Sequence, residues 1–127
     1  MSQREVFETV DALVAAINRG DVEAAVAHYE ADAVFVVQPG VVVTGSAAIR
    51  GALSELLSTG AKIVTHGRLA LCTGDLALYH SRWQLLGQAG DTVAESADVL
   101  RRGRDGRWRI AIDNPWGSAV LAVPEIA

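Results

Sequence analysis

The chain predicts an α+β fold in which three N-terminal helices pack on one face of a strongly curved, mostly antiparallel sheet. Three observations carry that expectation. Helical periodicity is confined to the first half of the chain, β-favouring runs separated by compact turns follow Gly60, and half of the 127 residues are apolar. The length predicts a single domain spanning residues 1–127, since domains commonly run about 100–150 residues. A charged fraction of 20 % beside 50 % apolar residues predicts a packed core rather than disorder. Helices grouped before strands give an α+β order rather than alternating β-α units.

Ser2 and Glu5 have the spacing of a capping box, and behind them Val6, Val10, Leu13, Val14 and Ile17 repeat at helical intervals. Gly20 suits the left-handed position that closes a helix, and Asp21 can cap the next one. In that second helix Val22, Ala25, Val26 and Tyr29 share a stripe, which predicts a buried Tyr29 ring. Ala33–Val37 reads as a strand ended by Pro39-Gly40, and Val41–Thr44 as a second short strand. Gly45-Ser46 opens a third helix with Ile49, Leu53, Leu56 and Leu57 on one face, closed by Gly60. Turn signals at Gly74-Asp75, Gly87–Gly90 and Arg104–Gly106 then divide the remainder into four strands, near 61–73, 76–87, 92–103 and 107–114.

The last hairpin assigns faces. Arg104-Asp105-Gly106 fits a three-residue loop closed by glycine in the left-handed region. The register then pairs Arg102 with Trp108, Leu100 with Ile110, Asp98 with Ile112 and Ser96 with Asn114. Leu100, Trp108, Ile110 and Ile112 form the core side, with Asp98 and Asn114 at its far end. Val99, Arg101, Arg109, Ala111 and Asp113 form the opposite face. A two-residue turn would instead set Asp98 against Asp113, with mutual repulsion. An inward-facing carboxylate at Asp98 is the most informative feature of the chain.

The order helix–helix–strand–strand–helix–meander resembles the cone-shaped fold of the nuclear-transport-factor-2-like superfamily, and within it the SnoaL-like domains. The residues that carry the resemblance are Gly20-Asp-Val-Glu-Ala-Ala-Val-Ala-His-Tyr29 leading into Ala31-Asp-Ala33, then Gly45-Ser-Ala-Ala-Ile49, Asp98-Val-Leu-Arg101, Asp105-Gly-Arg-Trp-Arg-Ile110 and Asp113-Asn-Pro-Trp116. The resemblance covers nearly the whole chain, about residues 5–117. The fold hosts isomerases, cyclases, dehydratases, non-catalytic binders and association domains, so it does not itself fix a function. Against ketosteroid isomerase, Asp98 falls where that enzyme keeps a protonated Asp. Leu13 stands at its Tyr position, and Val37 or Gln38 at its base position. Two of its three roles are therefore missing. SnoaL-type cyclases work by pocket acid–base residues without metal or organic cofactor, which implies no cofactor here. The resembled families commonly dimerise through the convex sheet face. Here that face carries Leu78, Val99, Arg82, Arg101 and Arg109, a composition suited to a two-fold interface.

Asp98 reads as a pocket acid whose pKa is raised by desolvation. The alternative is a structural carboxylate bonded to a neighbouring strand or to Trp83 Nε1. Tyr29 and Trp83 are candidate pocket residues because each joins an aromatic body to a polar tip. Gln38 and Asn114 fall at strand ends where a cone would open and could orient a ligand. His28, His66 and His80 lack metal-ligand spacing, so no metal is expected, and His80 falls on the convex side. Cys72 has no neighbouring cation to activate it and excludes an intrachain disulfide. Five arginines lie between Arg101 and Arg109, but a formal charge of −4 and one lysine, Lys62, argue against nucleic-acid binding. No apolar run approaches the roughly 18–20 residues of a membrane span, and Met1–Val6 lacks the apolar core of a secretory signal, so a cytoplasmic protein is expected.

The leading functional expectation is a pocket for a small apolar molecule, polycyclic or ketone-bearing. One alternative is a cofactor-free isomerase, cyclase or dehydratase using Asp98 as acid or base. A second is a non-catalytic dimeric association module.

Overall fold

The computed structural model describes residues 2–87 and 90–123. The elements follow the expected order: α1 (Ser2–Asn18), α2 (Val22–Val26), β1 (Tyr29–Gln38), β2 (Val41–Thr44), α3 (Ser46–Ser58), β3 (Lys62–Thr73), β4 (Leu76–Leu86), β5 (Thr92–Arg102), β6 (Trp108–Asp113) and a 3-10 segment, Gly117–Ala122. The six strands form one sheet in the order β2-β1-β6-β5-β4-β3. All neighbours are antiparallel except β1 and β6, which run parallel. The helices lie against one side of this curled sheet, giving the expected cone.

Local chemistry accounts for most element ends. Gly20 and Gly60 close α1 and α3 with φ of 77° and 72°, values that cost other residues strain. The Asp21 carboxylate caps α2 by accepting the Ala24 N–H at 3.0 Å. Tyr29 departs from expectation. The helix stops at Val26, and Tyr29 begins β1, 5 % exposed, so its ring is buried from a strand and not from a helix. The five-residue α2 is too short to carry the helical stripe through Tyr29.

Both ends of α1 are tied to β3. Gln3 donates to the Ala70 carbonyl at 2.9 Å, while the Asn18 amide donates to Ile63 O at 2.9 Å and accepts Ile63 N–H at 2.7 Å. Between these ties Val6, Val10, Leu13 and Ile17 are buried as their spacing predicts. They meet Ile49 and Leu53 of α3 and Leu100 and Ile110 of the sheet, all at most 2 % exposed. Each fully buried aliphatic side chain contributes about 1.5–3 kcal/mol. Register shifts at Thr65/Gly67 in β3, at Val36/Gln38 in β1 and at Val99/Leu100 against β6 bend the strands, as bulges do.

The last hairpin begins as expected. Gly103 N–H reaches Arg107 O at 2.8 Å, Gly106 has φ of 80°, and Arg102 pairs with Trp108 and Leu100 with Ile110. One residue later the expected register fails: Val99 pairs with Ile112, leaving Ala111 extra on β6. The bulge reverses the faces beyond it. Ile112 turns outward, 42 % exposed, and Asp113 turns inward. Three of the five arginines of this hairpin pair within the chain, Arg101 with Glu30 at 3.5 Å, Arg102 with Asp75 at 2.8 Å and Arg109 with Asp105 at 2.7 Å. The expected turn at Gly87–Gly90 includes residues 88 and 89, which lie outside the described residues. Among the described residues no helix is long and apolar enough to cross a membrane.

Beyond β6 the chain turns tightly over β5 at Gly117, whose φ is 54°. A Cβ built there would stand 2.5 Å from Glu95 O, a backbone atom that cannot yield cheaply. Gly117→Ala is therefore expected to lower unfolding free energy by about 2–4 kcal/mol, as read by chemical denaturation. Gly51→Ala, on the open surface of α3, should leave it unchanged or raised.

Candidate functional site

The inside of the cone holds a cavity of about 230 Å³. Val10, Leu13, Val14 and Ile17 of α1 form one side, Leu53 and Leu56 of α3 another, and the concave sheet the rest. Pro115 and Trp116 from the segment after β6 complete the wall. Trp116 is fastened by its indole N–H to Val37 O at 3.0 Å and meets the Trp83 ring edge-on at 5.5 Å between centroids. Aliphatic and aromatic carbon thus dominates the lining.

Three polar side chains gather on the sheet side of this cavity. The bulge at Ala111 sets Asp113 of β6 beside Asp98 of β5, and Tyr29 donates its hydroxyl to Asp113 Oδ2 at 2.5 Å. Asp98, 8 % exposed, accepts the Asn114 backbone N–H at Oδ1, 2.7 Å away. Burial, then the Asp113 charge and the hydrogen bond to it, push the Asp98 carboxyl well above its ordinary value. The Asn114 N–H and the Ser96 hydroxyl oppose that rise. Burial also raises Asp113, while its hydrogen bonds with Tyr29 and Asp98 pull the other way. Asp98 is therefore the member of the pair held toward its protonated form, and Asp113 is the carboxyl that accepts the Tyr29 hydroxyl. Burial and then the adjacent Asp113 raise Tyr29 far above an ordinary phenol, so it stays a donor.

Tyr79 of β4 stands directly opposite Asp98 in the sheet and also lines the cavity. Its side chain is 1 % exposed, and its hydroxyl has no hydrogen-bond partner. Burial raises this phenol, partly offset by the Arg68 guanidinium. Ser81 and Ser96, opposite one another on β4 and β5, join hydroxyls at 2.7 Å beside the acids.

Of the residues expected from the sequence, the structure brings Asp98, Tyr29 and Trp83 to the cavity wall. Trp83 does not touch Asp98; its indole N–H donates to Pro115 O at 2.7 Å. Two expectations need correction. Gln38 is exposed, because Ala33, Phe35 and Val37 take the inward positions of β1 and leave residue 38 on the other parity. Asn114 serves the chain turn instead of the cavity: its amide donates to Gly117 O at 3.1 Å, and its Oδ1 accepts Trp116 N–H at 3.3 Å. The expected register sets Asp113 on the outer face, and Tyr79 is a further cavity residue that the sequence reading does not single out. The missed signal is the Asp98-to-Asp113 spacing under a shifted register, which a bulge alone decides. Outside the cone, His80 is exposed and meets Ser96 O through Nδ1 at 3.0 Å. His28 is half-buried, its pKa lowered by burial and then by Arg107 and Arg19. Among the described residues no three His, Cys, Asp or Glu side chains are arranged to hold a metal ion.

A helix-covered conical sheet around an acid-bearing apolar cavity defines a nuclear-transport-factor-2-like protein. Residues 10–110 match the SnoaL-like domain family, and the chain belongs to that family. Solved structures agree on the fold. A single-substitution variant of Rv3472 from Mycobacterium tuberculosis, a protein of unknown function, superposes with a TM-score of 0.79 at 23 % identity. That alignment covers 97 % of this chain and 80 % of the other. A provisional dehydratase of the NTF2-like family from Streptomyces avermitilis gives 0.77 at 19 % identity, covering 88 % and 92 %. A provisional ketosteroid isomerase from Shewanella frigidimarina gives 0.75 at 20 % identity, covering 84 % and 89 %. Among curated proteins no match was found.

Carboxyl-carbon NMR titration should report Asp98 ionising well above the roughly 3.9 of a free Asp. The sign for stability follows from that direction. The contribution of protonated Asp98 is complete below about pH 4 and is lost as pH rises through the raised folded value. Denaturation across that window should therefore show wild type losing stability relative to Asp98→Asn as pH increases; parallel curves would contradict the raised ionisation of Asp98.

Proposed function

We propose that the protein binds a compact, largely apolar small molecule inside the cone, with the Asp98–Asp113–Tyr29 cluster as its polar recognition point. The observation that carries this reading is the acid pair opening on an otherwise apolar cavity. At about 230 Å³ the space lies below the roughly 300–1,000 Å³ of drug-sized pockets, which favours one or two rings over a larger polycycle. Cytoplasmic surroundings suit the free thiol of Cys72.

A second reading adds chemistry and rests on two adjacent buried carboxyls, Asp98 being held toward its protonated form. Asp113 takes a proton from one atom of the ligand while Asp98 gives its own to another. The pair then resets by passing the proton from Asp113 back to Asp98, so no net proton or cofactor is consumed. That is isomerase or dehydratase chemistry, the class suggested by the names of two structural neighbours. Proton transfer by positioned groups contributes typically about 10²–10⁴-fold. With a compact cyclic ketone as probe, Asp98→Asn should retain binding by NMR shift perturbation. If the protein is an enzyme, turnover should fall by about 10²-fold or more. Failure of any small apolar molecule to perturb cavity signals would overturn the binding reading.

The partner proposal is a homodimer through the outer sheet face. Leu71, Leu78, Val99 and Ile112 stand opposite one another across four strands, and Leu71, Leu78 and Ile112 are 53 %, 37 % and 42 % exposed. A contiguous apolar stripe of this kind marks an interaction surface. Because a two-fold axis presents the same patch twice, the stripe needs only itself as partner. Sedimentation at micromolar concentration should give a dimer that Leu78→Glu converts to monomer. A monomeric wild type removes both this proposal and the association-module alternative.

A further inference from the structure

The hydrogens of the acid cluster are already committed within it. Tyr29 O–H goes to Asp113, the Asn114 N–H goes to Asp98, and the Ser81 and Ser96 hydroxyls bond to one another. The two tryptophans on the wall give their indole hydrogens to backbone carbonyls, Trp83 to Pro115 and Trp116 to Val37. What the ionised carboxyl and these rings present to a ligand is therefore mainly oxygen lone pairs and aromatic surface. The pair carries negative charge whenever either carboxyl ionises, and among the described residues the cavity wall includes no Arg, Lys or His to balance it. A charge removed from water without a partner is costly, and a positive group brought alongside relieves that cost.

A second observation points the same way. The Tyr79 hydroxyl, buried opposite Asp98, has no partner, so it can accept an ammonium hydrogen as well as donate its own. Phe35, Tyr29, Trp83 and Trp116 place ring surface around the same space, and cations are attracted to aromatic faces in desolvated sites.

From this arrangement of acceptors, unbalanced charge and aromatic walls, we infer that the cavity's ligand carries a protonated amine on a compact apolar body. The inference rests on the reading that the cavity takes a small molecule, and it adds that molecule's charge. The ammonium N–H groups meet Asp113 and Asp98, with Tyr79 as a further acceptor, while the hydrocarbon part lies against α1 and the tryptophans. A carboxylate of the same shape would meet the acid pair with like charge, and an alcohol would leave the negative charge uncompensated.

Three probes of matched shape test this: cyclohexylamine, cyclohexanol and cyclohexanecarboxylate, titrated at neutral pH and low salt into isotopically labelled protein. The indole N–H signals of Trp83 and Trp116 report the cavity, and Trp108, outside its wall, is the internal reference. The amine should bind about tenfold or more tightly than the alcohol, and the carboxylate should not bind. In Asp113→Asn the preference for amine over alcohol should shrink to about threefold or less. The wild-type comparison decides the matter even if that variant fails to fold. Alcohol binding as tightly as the amine, or carboxylate binding best, overturns the inference and leaves the small-molecule cavity standing. Movement of neither cavity tryptophan with any probe overturns both.

Discussion

The site depends on one extra residue in one strand. The Arg104–Gly106 turn fixes a register that would carry Ile112 into the cone and Asp113 out of it. Ala111 breaks that register, and because side chains alternate strictly along a strand, a single inserted residue exchanges inside and outside for everything after it. The reversal moves a large aliphatic side chain to the surface and a carboxylate into the interior. It also completes the outer stripe by placing Ile112 next to Val99. The cavity chemistry and the surface apolar row are therefore two effects of the same bulge.

Two carboxyls side by side in a largely apolar space would ordinarily repel by several kcal/mol. The structure lowers that cost in three ways. It holds Asp98 toward its protonated form, supplies the Tyr29 hydroxyl to Asp113, and supplies a backbone N–H to Asp98. The helices contribute indirectly. By tying both ends of α1 to β3 through Gln3 and Asn18, they fix the opposite wall at a distance that leaves space over the acids instead of a collapsed core.

The fold was largely legible in the sequence because its signals are local and periodic: the stripe from Val6 to Ile17, the stops at Gly20 and Gly60, and the three-residue turn ending in Gly106. Asp98 was legible for the same reason, lying within two residues of Leu100 on a strand of known parity. Asp113 was not, because a bulge is decided by how β6 sits between β5 and the parallel β1, a contact between segments some 75–85 residues apart along the chain. Gln38 failed through parity alone, and Asn114 through proximity, since it stands next to the site yet turns its side chain to the chain turn. Tyr29 was foreseen as buried but on the wrong element, because α2 is too short to hold it.

Asn114 joins the acid to the wall segment above it. Its N–H serves Asp98, while its side chain holds Gly117 O and the N–H of Trp116, the residue that completes the cavity. A single residue thus serves the buried acid through its main chain and the wall segment through its side chain, so the chemistry of the site and the shape of its enclosure share one anchor.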